Sequence, residues 1–157
     1  MDRIPITKEG YEKIKAELER LKKVERKEVI KAIEEARGHG DLSENAEYDA
    51  AKERQGMIEA RIAELEYKMA RFDVIDTSKL KGDKVVFGAT VKIENLDTGE
   101  IKKYKIVGPD ESDISKGKIS ILSPIARALV GKKVGDCVIV NAPNGEIEYE
   151  ILEISFD

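Results

Sequence analysis

Five apolar residues, Ile58, Ile62, Leu65, Met69 and Phe72, recur at spacings of four, three, four and three, the repeat that keeps one side of an α-helix against a partner helix. Upstream, Ile14, Leu18 and Leu21 form one stripe and Val29, Ile33 and Ala36 another, with a residue skipped between them at Glu25. No proline interrupts either stretch, and Gly38-His39-Gly40 supplies turn residues between them. The pattern predicts a long antiparallel helical hairpin, capped at Thr7, running to about Arg37 and returning to about Phe72. Ile6 and Tyr11 stand where a hydrophobic staple would bracket the cap. A helix of about 30 residues extends about 45 Å, so such a hairpin has reach. The same periodicity would serve a coiled coil between two chains, but the tight glycine turn favours pairing within one. Toward the turn the seam is expected to pass through Ala46, Ala50, Ala51 and Arg54, with Arg54 level with Glu25 and paired to it.

After Asp76 the period changes to that of strands. Residues 85–87, 89–94 and 101–107 are rich in branched side chains, and Asp97-Thr98-Gly99 reads as the hairpin turn between the last two. Asn144-Gly145 marks a second hairpin between 137–140 and 147–154. Ser123 can cap one short helix whose first position is Pro124. The expected architecture is therefore α+β. Residues 1–76 form a coiled-coil hairpin domain, Thr77-Ser78-Lys79 is the linker, and 77–157 form a small α+β domain.

Composition narrows the functional classes. With 41% hydrophobic, 38% charged and 5% aromatic residues and no Trp, the chain has much solvated helix surface and little with which to line an aromatic pocket. No apolar run approaches the roughly 20 residues of a membrane span, and the opening residues have no apolar signal core, so a cytoplasmic protein without a membrane partner is expected. A net charge of −4 argues against duplex DNA binding through a broad basic face, leaving room only for a local patch. Cys137, in an apolar run, reads as a buried small hydrophobe. His39 and Cys137 are too few for a zinc site, so any metal would be a hard cation held by carboxylates.

The turn segment 37–51, RGHGDLSENAEYDAA, carries the chemistry. Two readings of Asp41 and Glu44 fit. As cap and third helical residue they make a capping box, satisfying orphan backbone donors. Equally, two carboxylates three residues apart share one helix face and could share a cation, though two groups alone hold magnesium weakly because the ion wants six oxygens.

This segment closely resembles the hairpin tip of the bacterial Gre transcript-cleavage factors. The resemblance continues through IPITKEGYEKIKAELERLK, VIDTSK, VFGATVKIENLDTGE and ISILSPIARALVGKKVGD, in that order along nearly the whole chain. It implies a transcription elongation factor that binds bacterial RNA polymerase, enters its secondary channel and stimulates the polymerase's own cleavage of backtracked nascent RNA. Such a chain is not itself an enzyme. By matching position, Asp41 and Glu44 are the acid pair that helps retain a second Mg2+ in the polymerase complex, the free protein having no cofactor. Asn45 and Tyr48 support the tip. Arg37 and Lys52 form a basic patch that steers the 3′ segment of the backtracked RNA. The second domain is implied to be FKBP-like, with Ser123, Pro124 and Ile125 gripping a rim of the polymerase's largest subunit, and the protein to act as a monomer. Gly38 stands where the family often has Glu and Ser43 where it often has Lys, which predicts weaker RNA steering and better handling of short than of long backtracks. An FKBP-like fold raises prolyl isomerisation as a rival, which the scarcity of aromatic residues disfavours.

Overall fold

The computed structural model describes residues 2–38 and 46–156. The chain divides into two compact units, one spanning Tyr11–Phe72 and the other joining Asp2–Gly10 to the residues from Asp73 onward.

In chain order the first elements are strand β1 (Ile4–Thr7), helix α1 (Lys8–Arg20), a π-helical turn (Leu21–Glu25), helix α2 (Arg26–Arg37) and helix α3 (Ala46–Met69). Thr7 caps as expected, its Oγ1 accepting from the backbone N–H of Gly10 at 3.1 Å. The skipped residue at Glu25 has a structural answer. Eight α-helical steps from Leu21 to Val29 would leave Val29 about 80° off the seam at about 100° per residue. A π turn absorbs one residue, so both Leu21 and Val29 are buried against Ile58, Ile62 and Leu65. Farther along, Tyr11 meets Phe72 edge to face, with ring centroids 6.3 Å apart.

Ion pairs across the hairpin run in opposite senses on its two arms: Lys22 with Glu66, Arg26 with Glu59, Glu28 with Arg54. The helices are thus antiparallel. Arg54 reaches Glu28 at 3.5 Å, not Glu25 as expected, because the register set by the other two pairs brings residue 28 within its reach. A second correction concerns the seam near the turn. Of its expected members only Ala51 is buried, while Ala46, Ala50 and Arg54 are exposed. The strict alternation of three and four instead runs from Leu65 and Ile58 back through half-buried Gln55, Ala51 and half-buried Tyr48.

In the second unit β1 pairs with β2 (Phe72–Ile75). A five-stranded sheet follows, ordered β5-β4-β3-β7-β6. Its strands are β3 (Thr90–Asn95), β4 (Ile101–Val107), β5 (Lys118–Ser120), β6 (Cys137–Ala142) and β7 (Gly145–Ser155). All neighbours are antiparallel except β4 and β5. Helix α4 (Pro124–Leu129) packs Ala126 and Leu129 onto Val91, Ile93, Ile106 and Ile151. The architecture is α+β, with Val91, Ile93, Ile106, Ile119, Val138 and Ile151 of the sheet buried in one core with α4.

Three expectations change here. Residues 85–87 are not a strand, because Gly88, at φ +88°, turns the chain and Ala89 N–H donates back to Val86 O at 3.0 Å. Cys137 is exposed, since the pleat sends Val138 and Val140 inward and Cys137 and Ile139 outward. Thr77–Lys79 is an ordered 3-10 turn, with the Asp76 carboxylate accepting from Ser78 N–H at 3.1 Å and Ser78 Oγ at 2.6 Å. These bonds hold Asp76 below the usual carboxyl range. The cut expected after Asp76 accordingly differs from the observed division, in which 73–76 and the first strand join the second unit.

Candidate functional site

Arg37 ends α2 with its guanidinium 6.0 Å from the centroid of the Tyr48 ring on α3. This contact ties the two arms together beside the turn, with a cation held over an aromatic face. Gly38 N–H donates to Glu34 O at 3.2 Å and Glu35 O at 3.1 Å, so Gly38 continues the right-handed helix, at φ −66°, and does not itself reverse the chain. Lys52, one turn beyond Tyr48 and exposed, donates to Gln55 Oε1 at 3.2 Å. A phosphate approaching Lys52 would compete with this neutral amide oxygen, a weak rival.

Asp41, Glu44 and Asn45 lie outside the described residues, as do His39, Gly40 and Ser43. Among the described residues no group of three or more His, Cys, Asp or Glu side chains could hold a metal ion.

The second candidate site lies at the start of α4. Ser123 Oγ accepts from Ala126 N–H at 3.3 Å and donates to Ser120 O at 2.7 Å, so its hydroxyl is committed to capping α4. Pro124 follows at the first helical position and is exposed, whereas Ile125 is half-buried and packs against the core. Leu122 was not singled out by sequence reasoning. It is 56% exposed and adjoins this cap, and the signal was a large aliphatic residue in a turn immediately before Ser-Pro. The aromatic residues of this unit are engaged: Tyr104, Tyr149 and Phe156 pack on the core and Phe87 is buried.

Among the described residues no helix is long and apolar enough to cross a membrane. A paired-helix arm and a sheet-and-helix module define a two-unit α+β protein. Residues 4–74 match the family description "Transcription elongation factor, N-terminal" and residues 79–156 match "Transcription elongation factor, GreA/GreB, C-term". The chain is 59% identical to the transcription elongation factor GreA of Nitratidesulfovibrio vulgaris, over 100% of this chain and 98% of the relative. It is 58% identical to GreA of Thermodesulfovibrio yellowstonii, over 99% of each. Among solved structures, GreA factor homolog 1 of Thermus thermophilus is 30% identical, covering 98% of this chain and 99% of that one at a TM-score of 0.45. This chain belongs to the GreA/GreB family of transcription elongation factors.

Proposed function

We propose that this elongation factor binds bacterial RNA polymerase, inserts its hairpin into the secondary channel and stimulates the polymerase's cleavage of backtracked nascent RNA. The observation that carries the reading is the Arg37–Tyr48 contact, 6.0 Å to the ring centroid, closing a seam that continues unbroken through α3. An arm of 24 residues reaches about 36 Å, and Asp41 and Glu44 lie in the short sequence that joins its two helices. In this reading the arm delivers those carboxylates to a catalytic centre that the polymerase owns, and the chain acts as an activator rather than an enzyme.

Asp41 and Glu44 would contribute two oxygens to a magnesium ion that the polymerase holds with its own groups. When bound, such an ion stabilises charge developing on the phosphodiester and acidifies an attacking water. The chain's own residues do the rest of the work at this end. Asp41 and Glu44 would orient the water by accepting hydrogen bonds from it, Tyr48 braces the turn together with Asn45, and Arg37 and Lys52 attract phosphates of the RNA 3′ segment. Ser123, Pro124 and Ile125, extended by Leu122, anchor the second unit on a rim of the largest subunit. A monomer acting in the cytoplasm suffices, because the apolar seam is filled within one chain.

Cleavage of stalled, backtracked complexes tests this directly. Asp41→Ala and Glu44→Ala are expected to bind polymerase normally while stimulated cleavage falls about 100-fold, the scale of losing a preorganised charge-stabilising group. Undiminished hydrolysis with both acids neutralised would refute it.

A further inference from the structure

The outward face of the five-stranded sheet segregates its charges. Lys92 on β3 lies opposite Lys103 on β4, and Lys105 on β4 opposite Lys118 on β5. Each alternates with an inward, buried neighbour such as Val91, Ile106 or Ile119, so the four ammonium groups share the solvent side. The sign reverses at β3 itself: Lys92 lies opposite Glu153 on β7, and two residues further along β3 Glu94 lies opposite Glu150, with Glu148 and Glu146 continuing along β7. Like charges placed directly across a ladder oppose folding. None of the four lysines has a carboxylate within ion-pairing distance among the described residues; the one ion pair of β4 joins Lys102 to Glu100. Asp113, bridged to Lys118 through the backbone, accepts from Ser115 N–H at 3.1 Å and from Ser115 Oγ at 2.5 Å, and Lys116 and Lys118 act on it only through weaker electrostatic attraction.

We propose that this lysine quartet binds the phosphate backbone of a single nucleic-acid strand. Residues two apart on a strand are about 6.7 Å apart and neighbouring strands about 4.8 Å apart, so the quartet is a compact grid two to three strands wide. The glutamates begin beside Lys92, with Glu94 two residues along its own strand and Glu153 opposite it on β7, well within the Debye length of about 8 Å at physiological salt. A narrow strand can lie over the β4 and β5 lysines, on the side of Lys92 away from β7. A duplex would place its second backbone over the glutamates and be repelled.

The experiment is fluorescence anisotropy of a short labelled single-stranded oligonucleotide with the full chain, in an Arg37→Ala/Lys52→Ala background that removes the hairpin's basic residues. Four phosphate contacts give a slope of log affinity against log salt of about −3, or roughly a 50-fold loss between 50 and 200 mM salt. Lys103→Glu/Lys105→Glu is expected to abolish binding, Lys103→Gln/Lys105→Gln to halve the slope, and Glu148→Lys/Glu150→Lys to tighten binding, all with unchanged circular dichroism. Binding insensitive to the lysine changes would overturn the proposal, as would a duplex bound equally tightly, or strands left unbound while light scattering shows two copies associating. Because the hairpin residues are already removed, this outcome and the fate of the Asp41 and Glu44 reading are independent.

Discussion

Glu111 holds Thr7, its Oε2 accepting the Thr7 backbone N–H at 2.9 Å and its Oε1 the Thr7 hydroxyl. The same carboxylate accepts from Gly108 N–H at 2.9 Å, so one side chain staples β1 to the segment after β4. This is why residues 2–10 belong with the second unit. Removing the carboxylate in Glu111→Ala strands partly buried donors and is expected to cost about 2–3 kcal/mol in urea denaturation. Gly10 adjoins the same carboxylate, where an added Cβ would collide with the Glu111 side chain. Gly→Ala inside a helix ordinarily stabilises by about 0.5–1 kcal/mol, yet Gly10→Ala is expected to destabilise, because the tethered carboxylate cannot step aside. In a Glu111→Ala background the sign should revert, a coupling that a double-mutant cycle reads directly.

The π turn makes a deletion informative. Removing Val24, which is 45% exposed, shortens the Leu21-to-Val29 interval to the seven residues that a continuous α-helix accommodates. The variant should keep its helical signal and melt within a few degrees of wild type. Deleting Ala60 from α3, by contrast, rotates Ile58 about 100° relative to Ile62 and Leu65, exposing buried seam residues at an expected cost above about 3 kcal/mol.

Arg26 and Glu59 form a two-pronged pair, Nε to Oε2 and Nη2 to Oε1 each at 2.8 Å. The hydrogen bonds from Arg26 hold the Glu59 carboxyl below its ordinary 4.5, and those to Glu59 raise Arg26. A depressed carboxyl contributes stability above its unfolded pKa and loses it as pH falls through the lower folded value. The hairpin's melting temperature should therefore drop on acidification from pH 4.5 downward, and Glu59→Gln should lower it at neutral pH while flattening that dependence. Both side chains are exposed, so salt should also shrink the effect.

At the end of the hairpin, Tyr48→Phe keeps the aromatic face and should leave stimulated cleavage near wild type, whereas Tyr48→Ala should lower it without weakening polymerase binding. Arg37→Ala should cost the hairpin no more than about 1 kcal/mol, the usual worth of an exposed cation over a ring. A much larger drop in cleavage than that predicts would place Arg37 on the RNA.

Ser123→Ala removes a cap and should destabilise the second unit by about 1 kcal/mol. Pro124→Ala and Leu122→Ala, both at exposed positions, should leave stability within about 0.5 kcal/mol and weaken polymerase binding instead. Titration of labelled polymerase with the three variants separates the capping role from the docking role.

Periodicity carries far along this chain. The stripe from Ile58 to Phe72, the cap at Thr7 and the hairpins at Gly99 and Gly145 are local signals, because helix phase, capping and turn chemistry depend on residues a few positions apart. The skip at Glu25 was visible as a break in the stripe, and even the candidate tip residues were legible as a string. Tertiary structure alone decided how the break was absorbed, since a π turn pays only when both flanking stripes must face one partner helix. It also decided that Arg54 meets Glu28, that four-residue β1 joins the second unit through Glu111, and that Cys137 faces outward. Each of these depends on groups far apart in sequence, brought together by packing and register that no local pattern encodes.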